Sequence, residues 1–268
     1  MLCLADLPSS TYYYHRILLA AEDKDAELKV ALVSIFAQHK GNYGYRRMTD
    51  ALRQAVGKAV NNKKVYRLLG ELNLRSTQRP KKYKSYKGDV GTATANVLQR
   101  QFEATAPNTK WVTDVTEFKC AGEKLYLSPV LDLYNGEIIA YQMQKRPKYE
   151  LVGRMIKKAF AKLGPSDKPL LHSDQGWHYR MIQYTEALQQ RGLEQSMSRK
   201  ANCYDNAVME NFFGILKSEM FYKQKFQSIN QLCRAIVAYI KYYNEERIKS
   251  RLDGMSPVQY RTRSATGT

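Results

Sequence analysis

Three acidic residues, with a lysine beyond them, are spaced as the carboxylate ligands of a cation would be. Asp174 closes the run Pro169-Leu170-Leu171-His172-Ser173, the pattern of a short buried strand, and Gly176 just beyond it lets the chain turn. That sets a carboxylate at a strand tip. Glu210 ends the segment Asp205-Asn206-Ala207-Val208-Met209-Glu210, where Asp205 or Asn206 is suited to cap a helix. At about 100° per residue, Asn206, Glu210, Gly214 and Lys217 share one helical face, with Val208, Phe212, Ile215 and Leu216 opposite. Glu219 falls on the apolar side, near the helix end, where such an exception costs least. Asp114 stands in the middle of Lys110–Phe118, whose alternation predicts one half-buried strand.

The chemistry open to such a set is that of a hard cation. Each acid alone reads as a solvated or capping residue; together, on two strands and a helix, they read as ligands. Mg²⁺ takes oxygen ligands, binds through a few carboxylates and fills its shell with water and phosphate oxygens. Two such ions roughly 4 Å apart clamp the attacking and leaving oxygens of an in-line phosphoryl displacement. The expected cofactor is therefore Mg²⁺, with Mn²⁺ able to substitute, at two ions per active site. Asp132, inside an apolar strand, is expected to be a structural, hydrogen-bonded acid. His172 and His178 flank Asp174, but a metal that activates water needs no added base, so both are expected either to be structural or to support the metal ligands from behind.

The pieces Trp111-x-x-Asp114-x-Thr116, His172-Ser173-Asp174-x-Gly176-x-x-Tyr179 and Asp205-Asn206-Ala207-x-x-Glu210, with Lys217 after them, resemble the DDE catalytic core of bacterial insertion-sequence transposases. The likeness is to the downstream-frame (OrfB) product, whose core is similar to retroviral integrase, and the interval of 35 residues between Asp174 and Glu210 matches. It runs from about Leu4 to Arg263. The resemblance implies that Asp114, Asp174 and Glu210 are a metal-binding catalytic triad and that Lys217 contacts DNA. It implies a DNA transposase that cleaves element ends and joins the freed 3′-hydroxyl to target DNA. It also implies double-stranded DNA as partner, an upstream-frame (OrfA) product or a fusion with it, and a homo-oligomer on DNA. The alternatives are a catalytically silent DNA-binding repressor and a plain RNase H-like nuclease. Trp177 and Tyr179 either line the DNA channel or pack in the core.

Composition agrees with a polyanionic partner. Among 268 residues, 43 Lys and Arg face 25 Asp and Glu, a formal net charge of +18, which points to nucleic acid first and an anionic membrane second. No apolar run approaches the roughly 18 residues of a spanning helix, and no secretory signal opens the chain. The expectation is a soluble bacterial protein of the cytoplasm, associated with the nucleoid and not with membranes. Cys3, Cys120, Cys203 and Cys233 are scattered, which supports neither a disulfide framework nor a zinc site.

The elements that would position these groups follow from periodicity. Residues 1–40 read as helical, with Tyr12, Tyr13 and Tyr14 expected to pack on the next helix. A helical pair follows, split at Gly57. Its second member bears the stripe Val65, Leu68, Leu69 and Leu72, and Lys63, Lys64 and Arg67 near its start suit either DNA contact or a solvated basic face. The pieces Tyr43-Gly44-Tyr45-Arg46-Arg47 and Lys63-x-Val65-x-Arg67-Leu68 are similar to the helical domain that precedes the core in those transposases, which implies DNA. Arg79, Lys81, Lys82 and Lys84 lie in an acid-free stretch able to track phosphates. Strands over Lys110–Cys120, Lys124–Leu133 and Glu137–Gln144, with Asn135-Gly136 as a type I′ hairpin, precede alternating helices and strands. The fold expected is α/β, an RNase H-like (integrase core) mixed sheet with flanking helices, preceded by a small all-α helix-turn-helix-like domain. The boundaries are 1–74 helical, 75–106 basic linker, 107–220 catalytic core and 221–268 a helix and tail bracing the core. In that tail Lys241, Arg247, Lys249, Arg251, Arg261 and Arg263 are expected to add to a basic surface.

Overall fold

The first part of the chain is helical, as its periodicity requires: α1 (Ser9–Ala20), α2 (Ala26–Gln38), α3 (Tyr45–Val56) and α4 (Asn62–Glu71). Gly57 ends α3 in the left-handed region at φ 64° and returns its N–H to Arg53, while the Asn61 side chain caps α4 by accepting from the Lys63 N–H, the termini these residue types favour. Leu32 and Ile35 of α2, Met48 and Leu52 of α3, and Val65, Leu68 and Leu69 of α4 are buried. Tyr12, Tyr13 and Tyr14 do not pack as expected, being 38%, 54% and 61% exposed. Three consecutive side chains on a helix point in three directions, so no single neighbour covers them. The computed structural model describes residues 8–20, 23–77, 97–98, 101–198 and 206–265. The chain divides into two units, Met1–Thr77 and Gln78–Thr268.

The second unit is built on a mixed sheet: β1 (Lys110–Thr113), β2 (Thr116–Cys120), β3 (Glu123–Asp132), β4 (Ile138–Gln144), β5 (Leu170–Ser173) and β6 (Gln195–Met197). The expected strand through Asp114 is broken. Trp111 pairs with Asp132, Thr113 with Val130 and Thr116 with Leu127, so β1 and β2 run along the same edge of β3 in one register, interrupted at Asp114 and Val115. That register sets Pro129, which has no N–H for the ladder, opposite Asp114. Thr113 Oγ1 instead donates to the Pro129 carbonyl at 2.8 Å. β4 lies on the other edge of β3, whereas β5 joins β1 in parallel and β6 joins β5 in parallel.

The Asn135-Gly136 hairpin is not type I′, because only Gly136 has a positive φ, 70°. The Asp132 N–H donates to Glu137 and the Gly136 N–H to Asp132, at 2.9 and 2.7 Å, closing a longer loop. Asn135 turns inward and donates from Nδ2 to the Pro257 carbonyl at 2.8 Å, a tertiary contact that overrides the local turn preference.

Alternation along the strands gives the sheet a core on each face. Val112, Leu131 and Ile138 pack with Met209, Phe212 and Leu216 of α7 (Ala207–Glu219) and Leu232 and Ile236 of α8 (Ile229–Glu245). Their neighbours Trp111, Val130 and Ile139 face α5 (Tyr149–Phe160) and α6 (Ile182–Gln190), meeting Val152, Met155 and Leu188. The buried face of α7 is thus Met209, Phe212, Phe213 and Leu216, with Val208 and Ile215 only half-buried. Among the described residues, no helix is long and apolar enough to cross a membrane.

The basic tail does not simply add to the surface. Arg247 is buried and grips Glu219 with two hydrogen bonds, Nη2 to Oε1 at 2.7 Å and Nε to Oε2 at 2.9 Å, and the Tyr239 hydroxyl also donates to Glu219 Oε2 at 2.9 Å. Glu219 is therefore one half of a buried ion pair and not a tolerated end-of-helix exception. From α9 (Pro257–Ala265), Arg261 Nη2 reaches Asp132 Oδ2 at 2.9 Å and Asn108 Oδ1 at 2.7 Å, and its Nη1 reaches Glu137. Lys249 Nζ donates to the carbonyls of Asn135 and Gly136 at 3.3 and 3.1 Å. Lys241, Arg251 and Arg263 remain exposed. Burial selects which cations turn inward, because a buried carboxylate needs a charged partner.

Candidate active site

Parallel pairing of β1 with β5 brings two of the acids together. Lys110 pairs with Leu170, Trp111 with Leu171 and Val112 with His172, and two more steps along the same register set Asp114 beside Asp174. Neighbouring strands lie about 4.8 Å apart. Each carboxylate is held from its own loop: Asp114 Oδ1 accepts the Val115 N–H at 2.7 Å, and Asp174 Oδ1 accepts the Gly176 N–H at 2.9 Å. Gly176 is needed here for space, since a Cβ would sit 2.9 Å from Asp174 Oδ1.

Both residues keep partial solvent access, yet their carboxyls lie deep enough for desolvation to dominate. Burial pushes the Asp114 carboxyl well above the usual carboxylate range, and the Asp174 charge adds to it; the Val115 N–H opposes, the Glu210 charge raises and the Lys217 charge lowers. Burial also raises Asp174, against the Gly176 N–H and the neighbouring His178. The field at Asp114 thus registers Asp174, Glu210 and Lys217 together.

Glu210 lies in the first turn of α7 and is half-buried. Lys217, on the same face, donates from Nζ to Thr116 Oγ1 at 2.7 Å and lies 5.2 Å from the centre of the Phe118 ring. Asp205 lies outside the described residues. Asn206 occupies the N-cap position without a capping hydrogen bond, and both of its side-chain amide atoms are buried with no partner among the described residues. A buried amide left so calls for an explanation such as an ion or a ligand.

The donor set fits a hard divalent cation in type, all carboxylate oxygens, from two strand tips and a helix start. It is not a closed cage: among the described residues, no group of three or more His, Cys, Asp and Glu side chains is drawn together tightly enough to hold a metal. Asp114 and Asp174 are the pair that the fold brings together, with Glu210 felt electrostatically from α7.

The flanking residues divide between core and surface. His172 is fully buried, with Nδ1 2.8 Å from Ser196 Oγ and Nε2 3.2 Å from Ser198 Oγ, a structural role as expected. His178 donates from Nε2 to the Pro147 carbonyl at 3.2 Å, and burial lowers its pKa. Tyr179 is buried, with its hydroxyl 3.4 Å from Thr113 Oγ1, whereas Trp177 is exposed. Asp132 is fully buried and accepts the N–H groups of Asn108 and Tyr134 at 2.9 and 3.0 Å, the structural acid expected.

Of the residues expected to bind DNA through α4, Lys63 is exposed. Lys64 and Arg67 instead pair with Asp25, just before α2, at 2.6 and 2.7 Å, and Arg67 also pairs with Glu71. The Lys64 and Arg67 hydrogen bonds hold the Asp25 carboxyl below its usual value. Arg79, Lys81, Lys82 and Lys84 lie outside the described residues. Sequence reasoning missed the unpartnered amide of Asn206, since a residue type suited to capping gives no sign that its cap will go unmade.

The Integrase core domain family matches residues 104–203, a second family of the same description matches 210–264, and the HTH-like domain family matches 22–82. The chain is 50% identical over 264 residues to transposase InsK, assigned to insertion sequence element IS150 of Escherichia coli K12, covering 98% of this chain and 93% of that one. It is 39% identical to a transposase for insertion sequence element IS1353 of Shigella flexneri, over 97% of this chain but 51% of that one. Among solved structures it is similar to the HTLV-2 integrase catalytic core domain in complex with magnesium, at TM-score 0.47 and 20% identity, covering 59% of this chain and 98% of that one.

Proposed function

Since the chain belongs to the bacterial insertion-sequence transposases with an integrase core domain, we propose that it cuts and joins DNA by metal-dependent phosphoryl transfer, with Asp114, Asp174 and Glu210 as the catalytic set. The observation that supports this best is the pair Asp114 and Asp174 at the tips of adjoining parallel strands, both raised by burial. Acids so placed with no ion-pair partner among the described residues suit an external cation.

Asp114, Asp174 and Glu210 would hold Mg²⁺, or Mn²⁺ in its place, at two ions per site. When bound, the metal supplies Lewis-acid polarisation of the phosphodiester and a water ionised near neutral pH. The Val115 and Gly176 N–H groups fix the two aspartates, and Lys217, anchored on Thr116, sets a cation beside them. At an element end, water attacks phosphorus, one P–O bond breaks and a 3′-hydroxyl leaves. That hydroxyl then attacks a phosphodiester of the target and another 3′-hydroxyl leaves. Both steps are the same displacement with different nucleophiles, so one site serves both.

Lys63, Lys64 and Arg67, the basic stretch with Arg79, Lys81, Lys82 and Lys84, and Lys217 are the proposed DNA contacts; Lys64 and Arg67 would exchange Asp25 for phosphate. The partners proposed are element ends and target DNA, a second copy of this chain, and the upstream-frame product or a fusion with it. The IS1353 relative, about twice the span of its match, supports a longer active form. The proposed location is the bacterial cytoplasm, at the nucleoid where the DNA lies.

The test is transfer of a labelled 3′-hydroxyl element end into plasmid DNA with Mg²⁺ or Mn²⁺, with and without the upstream-frame product. Asp174→Asn and Glu210→Gln should each abolish joining while leaving salt-sensitive DNA binding nearly intact. Joining that survives either substitution, or binding lost in step with joining, overturns the assignment. DNA binding with no joining under any condition makes the chain a silent binding protein.

A further inference from the structure

Trp177 is an indole that folding leaves in solvent. It is 52% exposed, whereas the other tryptophan of the chain, Trp111, is fully buried. Aromatic side chains of this size normally supply core packing, and an exposed one that is rigidly backed has a surface ready for a ligand.

The backing is specific. One face of the indole stacks on the His178 ring, with centroids 3.9 Å apart and planes 29° from parallel. His178 is tied to the Pro147 carbonyl. The next residue, Tyr179, is buried edge-on against Tyr184, with centroids 5.4 Å apart, and its N–H closes the short 3-10 turn onto Gly176 at 3.0 Å. Ring and backbone are held before any ligand arrives, so little conformational freedom is lost on stacking.

The position selects the ligand. Trp177 follows Asp174 by three residues, a span of at most about 10 Å. A scissile phosphate at the carboxylates would bring the base of an adjacent nucleotide into that range. Base stacking on aromatic side chains is tolerant of sequence, since every base has a π-face. We propose that the outer face of Trp177 is a stacking platform for an unpaired base next to the scissile phosphate, making it a positioning residue for the DNA end. This rests on the catalytic site proposed above and deepens it: the substrate end is held with that base out of its duplex stack.

Intrinsic fluorescence offers a readout independent of catalysis, because solvent-facing indole emission here comes from Trp177. The probe is a duplex with unpaired nucleotides at one end, compared with the same duplex bearing abasic sites in those positions, with binding followed separately by anisotropy. The expected result is quenching of the wild-type protein by the first duplex, none by the abasic one, and none in Trp177→Phe. Joining at subsaturating DNA should fall about tenfold in Trp177→Ala and be largely rescued in Trp177→Tyr, as the stacking energy of one base predicts. Unchanged emission on confirmed binding, or equal quenching by the abasic duplex, overturns the platform. Asp174→Asn separates the two proposals: it should keep the quenching and lose joining. Quenching without joining in any form of the protein would leave the platform standing and remove the catalytic reading.

Discussion

The second unit holds recessed acids in two places and treats them in opposite ways. In the brace where α7, the end of β3, the turn after α8 and α9 meet, Glu219 is locked to Arg247 and Asp132 to Arg261. At the tips of β1 and β5, Asp114 and Asp174 lie beside each other, and each receives one backbone N–H. The chain had cations enough to neutralise both places, with 43 Lys and Arg. A carboxylate matched with an internal arginine is part of the scaffold. One left beside another acid is strained unless a cation comes from outside, which is how pKa perturbation marks functional sites.

The contrast can be broken from either side. The largest effect on stability is expected in the brace: Arg247→Ala leaves Glu219 buried and uncompensated, and denaturant unfolding should show a loss of about 3–5 kcal/mol. Replacing the pair together, Glu219→Leu with Arg247→Met, should recover most of that loss. A double variant no more stable than the single one would mean that the arginine acts through packing alone.

The opposite sign is expected at the strand tips. In chelator at neutral pH, Asp114→Asn should raise stability, on the order of 1 kcal/mol, by removing a desolvated charge that faces another. Mg²⁺ should raise the melting temperature of the wild type and not of this variant, since binding to the native state stabilises it by mass action. Destabilisation by Asp114→Asn in chelator would contradict the contrast.

A smaller effect tests a brace cation that lacks an acid. Lys249 donates to the Asn135 and Gly136 carbonyls, and its pKa is lowered well below the ordinary 10.5, first by burial and then by Arg251 and Arg247. Between the lowered folded value and 10.5 the unfolded chain binds more protons, so stability should rise with pH across that window. Lys249→Met should flatten that rise in thermal unfolding followed against pH. An unchanged slope would exclude Lys249 as its source.

Much of the scaffold was legible because helix and strand periods are local. The stripe Val65, Leu68 and Leu69 on α4, the strand before Asp174 and the helix bearing Glu210 all lie where periodicity sets them. The structure departs from local expectation where distant residues intervene. Pro129 interrupts the strand at Asp114, Pro257 draws Asn135 out of its turn, and Asp25 engages Lys64 and Arg67. None of these partners lies in the window in which the expectation was formed.

The sequence by itself determined the motifs: an aspartate within an alternating strand-like stretch, another after a short apolar strand, a glutamate in the first turn of a helix, and a lysine on the same face two turns on. It determined also the excess of positive charge that suits DNA. Only the tertiary structure decided which charges meet. The β1–β5 register set Asp114 beside Asp174, and the packing of α8 and α9 turned Arg247 and Arg261 inward onto Glu219 and Asp132. The physical reason is that side-chain periodicity fixes the face a residue occupies, while the partner across that face is fixed by packing between segments far apart in the chain.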